Sequence, residues 1–229
     1  MELINLSIVL LVRSNVERLS SAVAECLALA ATQPDGVEII IVDDGGDHQV
    51  ARMADQLAAT HSSVAVIHFR RRMGYRYALN HAWSVAGGHY LLALNLSGPA
   101  SASDIPRLLG AADGHAVILG YRTPTQRGLR ELISALTVWR KAPDLRDPSL
   151  GLALFRADQR HLLTLHGTEQ RTHADIYAAA HLRGERVAQV AVRSQSRQRS
   201  TAASDGIVGL GLLIAAGGLW ILRRLRRSS

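Results

Sequence analysis

The sequence predicts an α/β fold, a mostly parallel sheet with flanking helices on both faces, plus one C-terminal hydrophobic helix. Three observations predict it. Short, β-branched apolar runs recur between residues 6 and 119, as strands buried on both faces require. Segments with helical apolar spacing separate those runs, which is the alternation of a covered parallel sheet. A charge-free run near the C-terminus is followed by a cluster of arginines.

Leu6–Val12 (LSIVLLV) reads as the first buried strand. Asn15 or Ser14 can cap a helix over Val16–Thr32, where Leu19, Val23, Leu27 and Ala30 follow helical spacing. Gln33-Pro34-Asp35-Gly36 is a turn. Val37–Val42 is the second strand and ends at Asp43-Asp44-Gly45-Gly46-Asp47. Then come a helix over His48–Thr60, a strand over Val64–Phe69, a basic loop over Arg70–Gly74 and a helix over Tyr75–Val85. Tyr90–Leu94 is the fourth strand. Asp104–Ala112 is a helix that tolerates Pro106 in its first turn, and Ala116–Leu119 is the fifth strand. Beyond Gly120 the pattern loosens. Thr123–Gly128 is polar, Leu129–Trp139 amphipathic and Lys141–Gly151 a loop rich in Pro and Asp. Leu152–Phe155 is short and apolar, Thr172–Leu182 a helix and Val187–Val192 a last strand.

Ligands bind outside the carboxyl ends of the strands in such sheets. That rule gathers Arg13, Ser14, Asp43, Asp44, Arg70, Asn95, Ser97 and Arg122 on one rim.

Composition narrows the partners. The chain has 229 residues, 48% hydrophobic and 20% charged, which excludes a disordered chain and a polytopic membrane protein. Its net charge of +7 is almost all arginine, since Lys141 is the only lysine. Arginine favours planar bidentate partners such as phosphates and carboxylates. Nucleotide phosphate and anionic lipid fit that preference. Nucleic acid is set aside, because no binding motif accompanies the charge. Cys26 is the sole cysteine, which excludes an intrachain disulfide and a Cys-based zinc site. It lies in an apolar helical run and reads as a buried, inert thiol.

Residues 1–193 are expected to form the α/β domain, 194–206 an Arg/Ser-rich linker, and 207–229 a membrane-anchoring helix with a basic tail. Ile207–Leu222 (IVGLGLLIAAGGLWIL) spans about 24 Å as a helix, slightly short of the ~30 Å hydrocarbon core. Trp220 and Arg223, Arg224, Arg226 and Arg227 read as interfacial anchors. The helix crosses the bilayer or lies in its interface. Gly209, Gly211, Ala215 and Gly218 also suit close helix packing in a homo-oligomer. Met1-Glu2-Leu3 has no basic signal region, so the main domain is expected to stay cytoplasmic while the chain is membrane-associated.

Two carboxylates at the end of a buried strand can accept hydrogen bonds from a nucleobase or ribose, and the two following glycines allow a tight turn beside a ligand. Capping of the next helix by Asp47 or Asp44 explains the same residues without a ligand.

Taken in order, LSIVLLV, EIIIVDDGG, RMGYRYALNHAW, GGHYLLALNLSGPASASDIPRLL, AVILGYR and LRDPSLGLALFR resemble glycosyltransferase family 2. The subgroup they resemble most is the dolichyl- or polyprenyl-phosphate sugar synthases, of the GT-A fold, a Rossmann-like nucleotide-diphospho-sugar transferase architecture. The resemblance covers residues 4–193. It implies that Asp43 and Asp44 hold the base and ribose of a nucleotide sugar, and that Arg72–Asn80 flanks the donor. It places Arg122 near the phosphates and Asp147, Ser149 and Arg156 on the acceptor side, with Pro148 and Gly151 in the same signature. Asp175, where the family often has an acidic residue, is the candidate base for a hydroxyl acceptor. A lipid phosphate needs no base, because its oxygen is already anionic.

The sequence departs from that family where a divalent metal, Mg²⁺ or Mn²⁺, is expected. The family's Asp-x-Asp after the fourth strand is here Asn95-Leu96-Ser97. A neutral amide and a hydroxyl replace two hard anionic ligands, so metal affinity should collapse. The aromatic-Asn-Glu after the first strand is replaced by Arg13-Ser14-Asn15. Arg13, Arg70, Arg71, Arg72, Arg76 and Arg122 can supply positive charge to a leaving diphosphate instead, or they are solvated surface charges.

Two functions are therefore expected in competition. One is transfer of a sugar from a nucleotide sugar to a polyprenyl phosphate or other membrane lipid at the cytoplasmic leaflet. The other is a catalytically silent GT-A module that binds a nucleotide sugar or a protein at the membrane.

Overall fold

The computed structural model describes residues 5–33, 36–123, 144–147, 150–162 and 173–193. Strands β1 (Leu6–Val12), β2 (Val37–Asp43), β3 (Val64–His68), β4 (Tyr90–Asn95), β5 (Val117–Tyr121), β6 (Leu152–Arg156) and β7 (Val187–Ala191) form one sheet in the order β3-β2-β1-β4-β6-β5-β7. The first four are parallel in register. Val12 lies opposite Asp43, Asp43 opposite His68, and Leu11 opposite Asn95. Their polar ends therefore stand in one row. β6 enters antiparallel between β4 and β5, while β7 runs parallel to β5.

Side chains alternate across the sheet and build two apolar layers. Ile8, Leu10 and Val12 face α1 (Val16–Ala30), α2 (His48–Thr60) and α4 (Ile105–Leu109), through Leu19, Val23, Val50, Ile105 and Leu108. Val9 and Leu11 face α3 (Tyr75–Val85) and α5 (His173–Leu182), through Leu79, Ala82, Trp83, Ile176 and Ala180. Trp83 packs edge-on against Phe155 with ring centroids 4.7 Å apart, a favoured aromatic geometry. The one polar residue inside β1, Ser7, is satisfied. Its hydroxyl donates to Glu38 Oε1 at 2.5 Å and accepts from Gly88 N at 2.8 Å.

Asn15 caps α1 from a left-handed backbone (φ 78°), accepting from Arg18 N at 2.9 Å, a conformation that asparagine tolerates better than most residues. Asp47, not Asp44, caps α2, accepting from Gln49 N and Val50 N. Cys26 is buried in the core as expected, and burial pushes its thiol up to about 12.

Some expectations shift. The helix expected over Asp104–Ala112 is a 3₁₀ turn at Ala102–Asp104 followed by the short α4. Ser101 caps the turn, while the Asp104 carboxylate accepts from Arg193 N at 2.8 Å and so ties the end of β7 to it. The fifth strand runs two residues further, to Tyr121. The 123–128 loop beyond Thr123, the amphipathic 129–139 segment and residues 194–229 lie outside the described residues. The chain divides into two units, Met1–Ser196 and Arg197–Ser229. The expected C-terminal helix falls wholly in the second. No helix among the described residues is long and apolar enough to cross a membrane.

Candidate donor site

The strand order reverses at β1: β2 and β3 lie on one side of it, and β4 on the other. This is the switch point where covered parallel sheets bind ligands. A cavity of about 190 Å³ opens there, lined by Leu11, Val12, Arg13, Asp44, Arg72, Tyr75, Asn95 and Ser97. Its volume is below the ~300–1,000 Å³ of a pocket for a whole drug-sized ligand, and it suits one part of a nucleotide sugar.

The backbone brings these groups together in a traceable way. Ladder bonds continue one residue past the strands, Asp44 N to Val12 O at 3.1 Å and Leu96 N to Leu11 O at 2.9 Å. Leu96 is buried among the apolar side chains, which leaves its neighbours Asn95 and Ser97 to line the cavity. Gly45 and Gly46 then let three loops touch backbone to backbone. A Cβ on Gly45 (φ +66°) would stand 2.6 Å from Arg71 C and Arg72 N, and one on Gly46 would stand 2.6 Å from Arg13 O. The glycine pair, called the glycine hinge, is the contact against which the two arginine-bearing loops pack.

The two strand-end carboxylates do different work. Asp44 lines the cavity and accepts from Met73 N at 2.6 Å and from Gly74 N at 3.1 Å and 3.2 Å, which fixes the entry to α3. Asp43 is 4% exposed and does not line the cavity. Its Oδ1 accepts from Gly46 N at 2.7 Å, and its Oδ2 accepts from His68 Nδ1 at 3.0 Å. His68 Nε2 reaches Asp55 Oδ1 at 3.0 Å. The hydrogen bond that the His68 ring donates to Asp43 is the main cause that holds it above its usual pKa, against partial burial and with help from Asp55.

Tyr75, at the start of α3, has a buried hydroxyl with no partner among the described residues. Burial pushes its pKa up. Sequence reasoning did not single out Tyr75 or His68. His68 was legible in principle as the strand residue beside Asp43. Nothing in the pattern marks the burial of the Tyr75 hydroxyl.

Other expected site residues go elsewhere. Arg122 and Asp147 stand on the same rim, at the end of β5 and before β6, but in a buried pair with each other. Arg156 does not reach the rim. It pairs in the sheet with Tyr90, at the amino end of β4, and its guanidinium binds Asp158 at 2.8 Å. That correction follows from the antiparallel course of β6, which carries residue 156 to the opposite edge. Asp175 falls in the first turn of α5 and Arg76 in the first turn of α3. Ser149 lies outside the described residues.

The donor set does not fit a divalent metal. Asn95 Oδ1 is a neutral amide oxygen and already accepts from Ser97 N at 3.0 Å. Ser97 offers a hydroxyl, and the single carboxylate of the cavity wall, Asp44, is held by two backbone N–H groups. Mg²⁺ and Mn²⁺ favour several free anionic oxygens, and no group of three His, Cys, Asp or Glu residues shares such a place among the described residues.

A family model for glycosyl transferase family 2 matches residues 8–161, more than half the chain. The chain belongs to glycosyl transferase family 2. Solved structures of similar fold include a mannosyltransferase from Pyrobaculum calidifontis in complex with GDP-mannose and Mn²⁺. It is 16% identical with a TM-score of 0.58, over 85% of this chain and 58% of that one. The chain thus spans little more than half the length of that enzyme. Another is the glucosyl-3-phosphoglycerate synthase of Mycobacterium tuberculosis in complex with Mn²⁺ and UDP-glucose (17% identity, TM-score 0.61, 86% of this chain and 72% of that one). A third is the mannosyl-3-phosphoglycerate synthase of Rubrobacter xylanophilus (17%, 0.63, 98% and 75%). At such identities the likeness establishes the GT-A type of fold. No curated protein matches the sequence.

Proposed function

We propose that this family 2 member transfers a sugar from a nucleotide-sugar donor, with the nucleotide seated across the ends of β1, β2 and β4. The observation that carries the reading is the cavity at the switch point, where Asp44 stands beside two arginines and two neutral hydrogen-bonding groups. A carboxylate there suits ribose or base N–H and O–H donors, and the guanidiniums suit phosphate. Asp43 supports Asp44 from behind through the Gly46 turn.

The acceptor we propose is a polyprenyl phosphate or another membrane lipid presented at the cytoplasmic leaflet. Support comes from the resemblance of LRDPSLGLALFR to lipid-phosphate sugar synthases and from the apolar run at 207–222 with its arginine cluster. An anionic phosphate oxygen attacks the sugar carbon as the leaving diphosphate departs, so no general base is needed on this route. Asp175 is the candidate base for a hydroxyl acceptor.

The second reading, a silent binding module, is favoured by Asn95 and Ser97 alone. The experiment is donor turnover by the full-length protein with nucleotide sugars, in vesicles containing polyprenyl phosphate and in vesicles without it. Lipid-dependent release of nucleoside diphosphate is expected. Tight nucleotide-sugar binding without turnover would install the second reading.

A further inference from the structure

The wall of the switch-point cavity has a charge pattern that suits an anion and opposes a dication. Resting on the donor-site reading above, we propose that Arg13 and Arg72 clamp the diphosphate of a nucleoside diphosphate directly, in place of a divalent cation. Asn95, Ser97 and Tyr75 act as neutral donors beside them.

Arg13 follows β1 and Arg72 precedes α3, so the two approach from opposite sides of the Gly45–Gly46 hinge. Both line the cavity, both are exposed, and neither forms a salt bridge among the described residues. Their backbones are nonetheless fixed. Gly46 abuts Arg13 O, Gly45 abuts Arg72 N, and Asp44 accepts from the next residue, Met73 N. Two guanidiniums with anchored main chains and no salt-bridge partner among the described residues are placed to meet the oxygens of a polyanion.

The residues at 95 and 97 complete the argument. Carboxylates at both places would repel a diphosphate unless a cation lay between. An amide and a hydroxyl remove that repulsion and turn two acceptor positions into donors. The Tyr75 hydroxyl is a further donor with no acceptor among the described residues, and a buried unpaired donor is a cost that an arriving phosphate oxygen removes. Asp44, the one carboxylate left on the wall, is already engaged by Met73 N and Gly74 N.

The test is calorimetry on the full-length protein with UDP, GDP, pyrophosphate and free nucleosides, each in EDTA and in Mn²⁺. Nucleoside diphosphate is expected to bind equally in both. Arg13→Gln and Arg72→Gln should each weaken it roughly tenfold or more, the scale of a lost charge-assisted hydrogen bond, and leave nucleoside binding unchanged. Thermal unfolding of both variants should match the parent, since both side chains are exposed. Strict dependence on Mn²⁺ overturns the clamp and leaves the donor-site reading standing. Metal-free binding that ignores both substitutions also overturns the clamp. Binding of no nucleotide in either condition overturns the donor-site reading, and the clamp with it.

Discussion

The Arg122 guanidinium closes a buried two-point pair with Asp147: Nε donates to Oδ2 at 2.8 Å and Nη2 to Oδ1 at 3.2 Å, and the Arg122 backbone N–H donates to Oδ2 at 3.1 Å. The two side chains are 3% and 1% exposed. Such a pair ties the residue after β5 to Asp147 at the rim. Its energetics make it a structural test of that role. Removing one partner breaks a buried, two-point ion pair, a loss of about 3–5 kcal/mol. Arg122→Ala and Asp147→Ala should each show that loss in urea unfolding, and Arg122→Met with Asp147→Asn, which keeps an acceptor for the Arg122 N–H, should recover part of it. A single variant that folds normally yet loses nucleotide binding would return Arg122 to the phosphate side of the site.

That pair also shows where the sequence stops being legible. The parallel half of the sheet was readable, because Leu6–Val12, Val37–Val42 and Tyr90–Leu94 are apolar throughout, as strands covered on both faces must be. Once those strands were set side by side, the rule for carboxyl ends placed Arg13, Asp44, Asn95 and Ser97 together, and all four line the cavity. Strand direction beyond Gly120 leaves no such trace. Apolar periodicity is the same for a strand and its reverse, so nothing foretold that β6 would run backwards, bring Asp147 to Arg122 and carry Arg156 to the far edge. Likewise, the pattern marks Asp43 and Asp44 as a pair but not their division of labour. That depends on whether a carboxylate meets His68 or the start of α3, which only the assembled sheet decides.

His68 gives a pH signature. With both ring nitrogens on carboxylates, the imidazolium is the form the site favours, and its pKa in the folded chain lies above the ordinary 6.5. A raised folded pKa means a stabilising contribution that is complete below the unfolded pKa and fades as pH rises through the folded one. The parent should therefore outlast His68→Gln in thermal unfolding at mildly acid pH, with the gap narrowing as pH climbs past 6.5. The ring is 38% exposed, so the effect will be modest. Proton NMR titration of His68 settles the sign directly, and a midpoint below 6.5 would refute it.

The glycine hinge predicts loss of binding through the backbone. Gly45 adopts φ +66°, where a Cβ costs roughly 1–2 kcal/mol on its own, and that Cβ would also press on the main chain at Arg71–Arg72. Gly45→Ala should lower the melting temperature and weaken nucleoside diphosphate binding about as much as losing Arg72 itself. Gly110→Ala is the comparison, since its nearest contacts are ordinary, at 3.5 Å and 3.6 Å, and it does not line the cavity. Equal effects of the two would show that the hinge has no special part in placing Arg72.

Restoring the carboxylates should reverse the electrostatics of the wall. Asn95→Asp with Ser97→Asp supplies two hard anionic oxygens at adjacent cavity positions, which favours Mn²⁺ and disfavours a bare diphosphate. The double variant should bind nucleoside diphosphate more weakly than the parent in EDTA and more tightly once Mn²⁺ is added. Calorimetry with and without the metal reads both halves. Unchanged binding in EDTA would mean that the phosphates do not lie against residues 95 and 97.

Tyr75 separates a binding role from a folding role most cleanly. Its hydroxyl is buried without a partner among the described residues, and burial raises its pKa. Among the described residues that oxygen makes no hydrogen bond. Tyr75→Phe keeps the ring and removes the orphan, so the melting temperature should stay level or rise. If a phosphate oxygen accepts from this hydroxyl, the same variant should bind nucleoside diphosphate several-fold more weakly, while free nucleoside binds as before. The two readouts move in opposite directions only when the donor serves the ligand. A variant that is less stable and binds normally would show that the hydroxyl meets a protein or water acceptor instead, and would remove Tyr75 from the site.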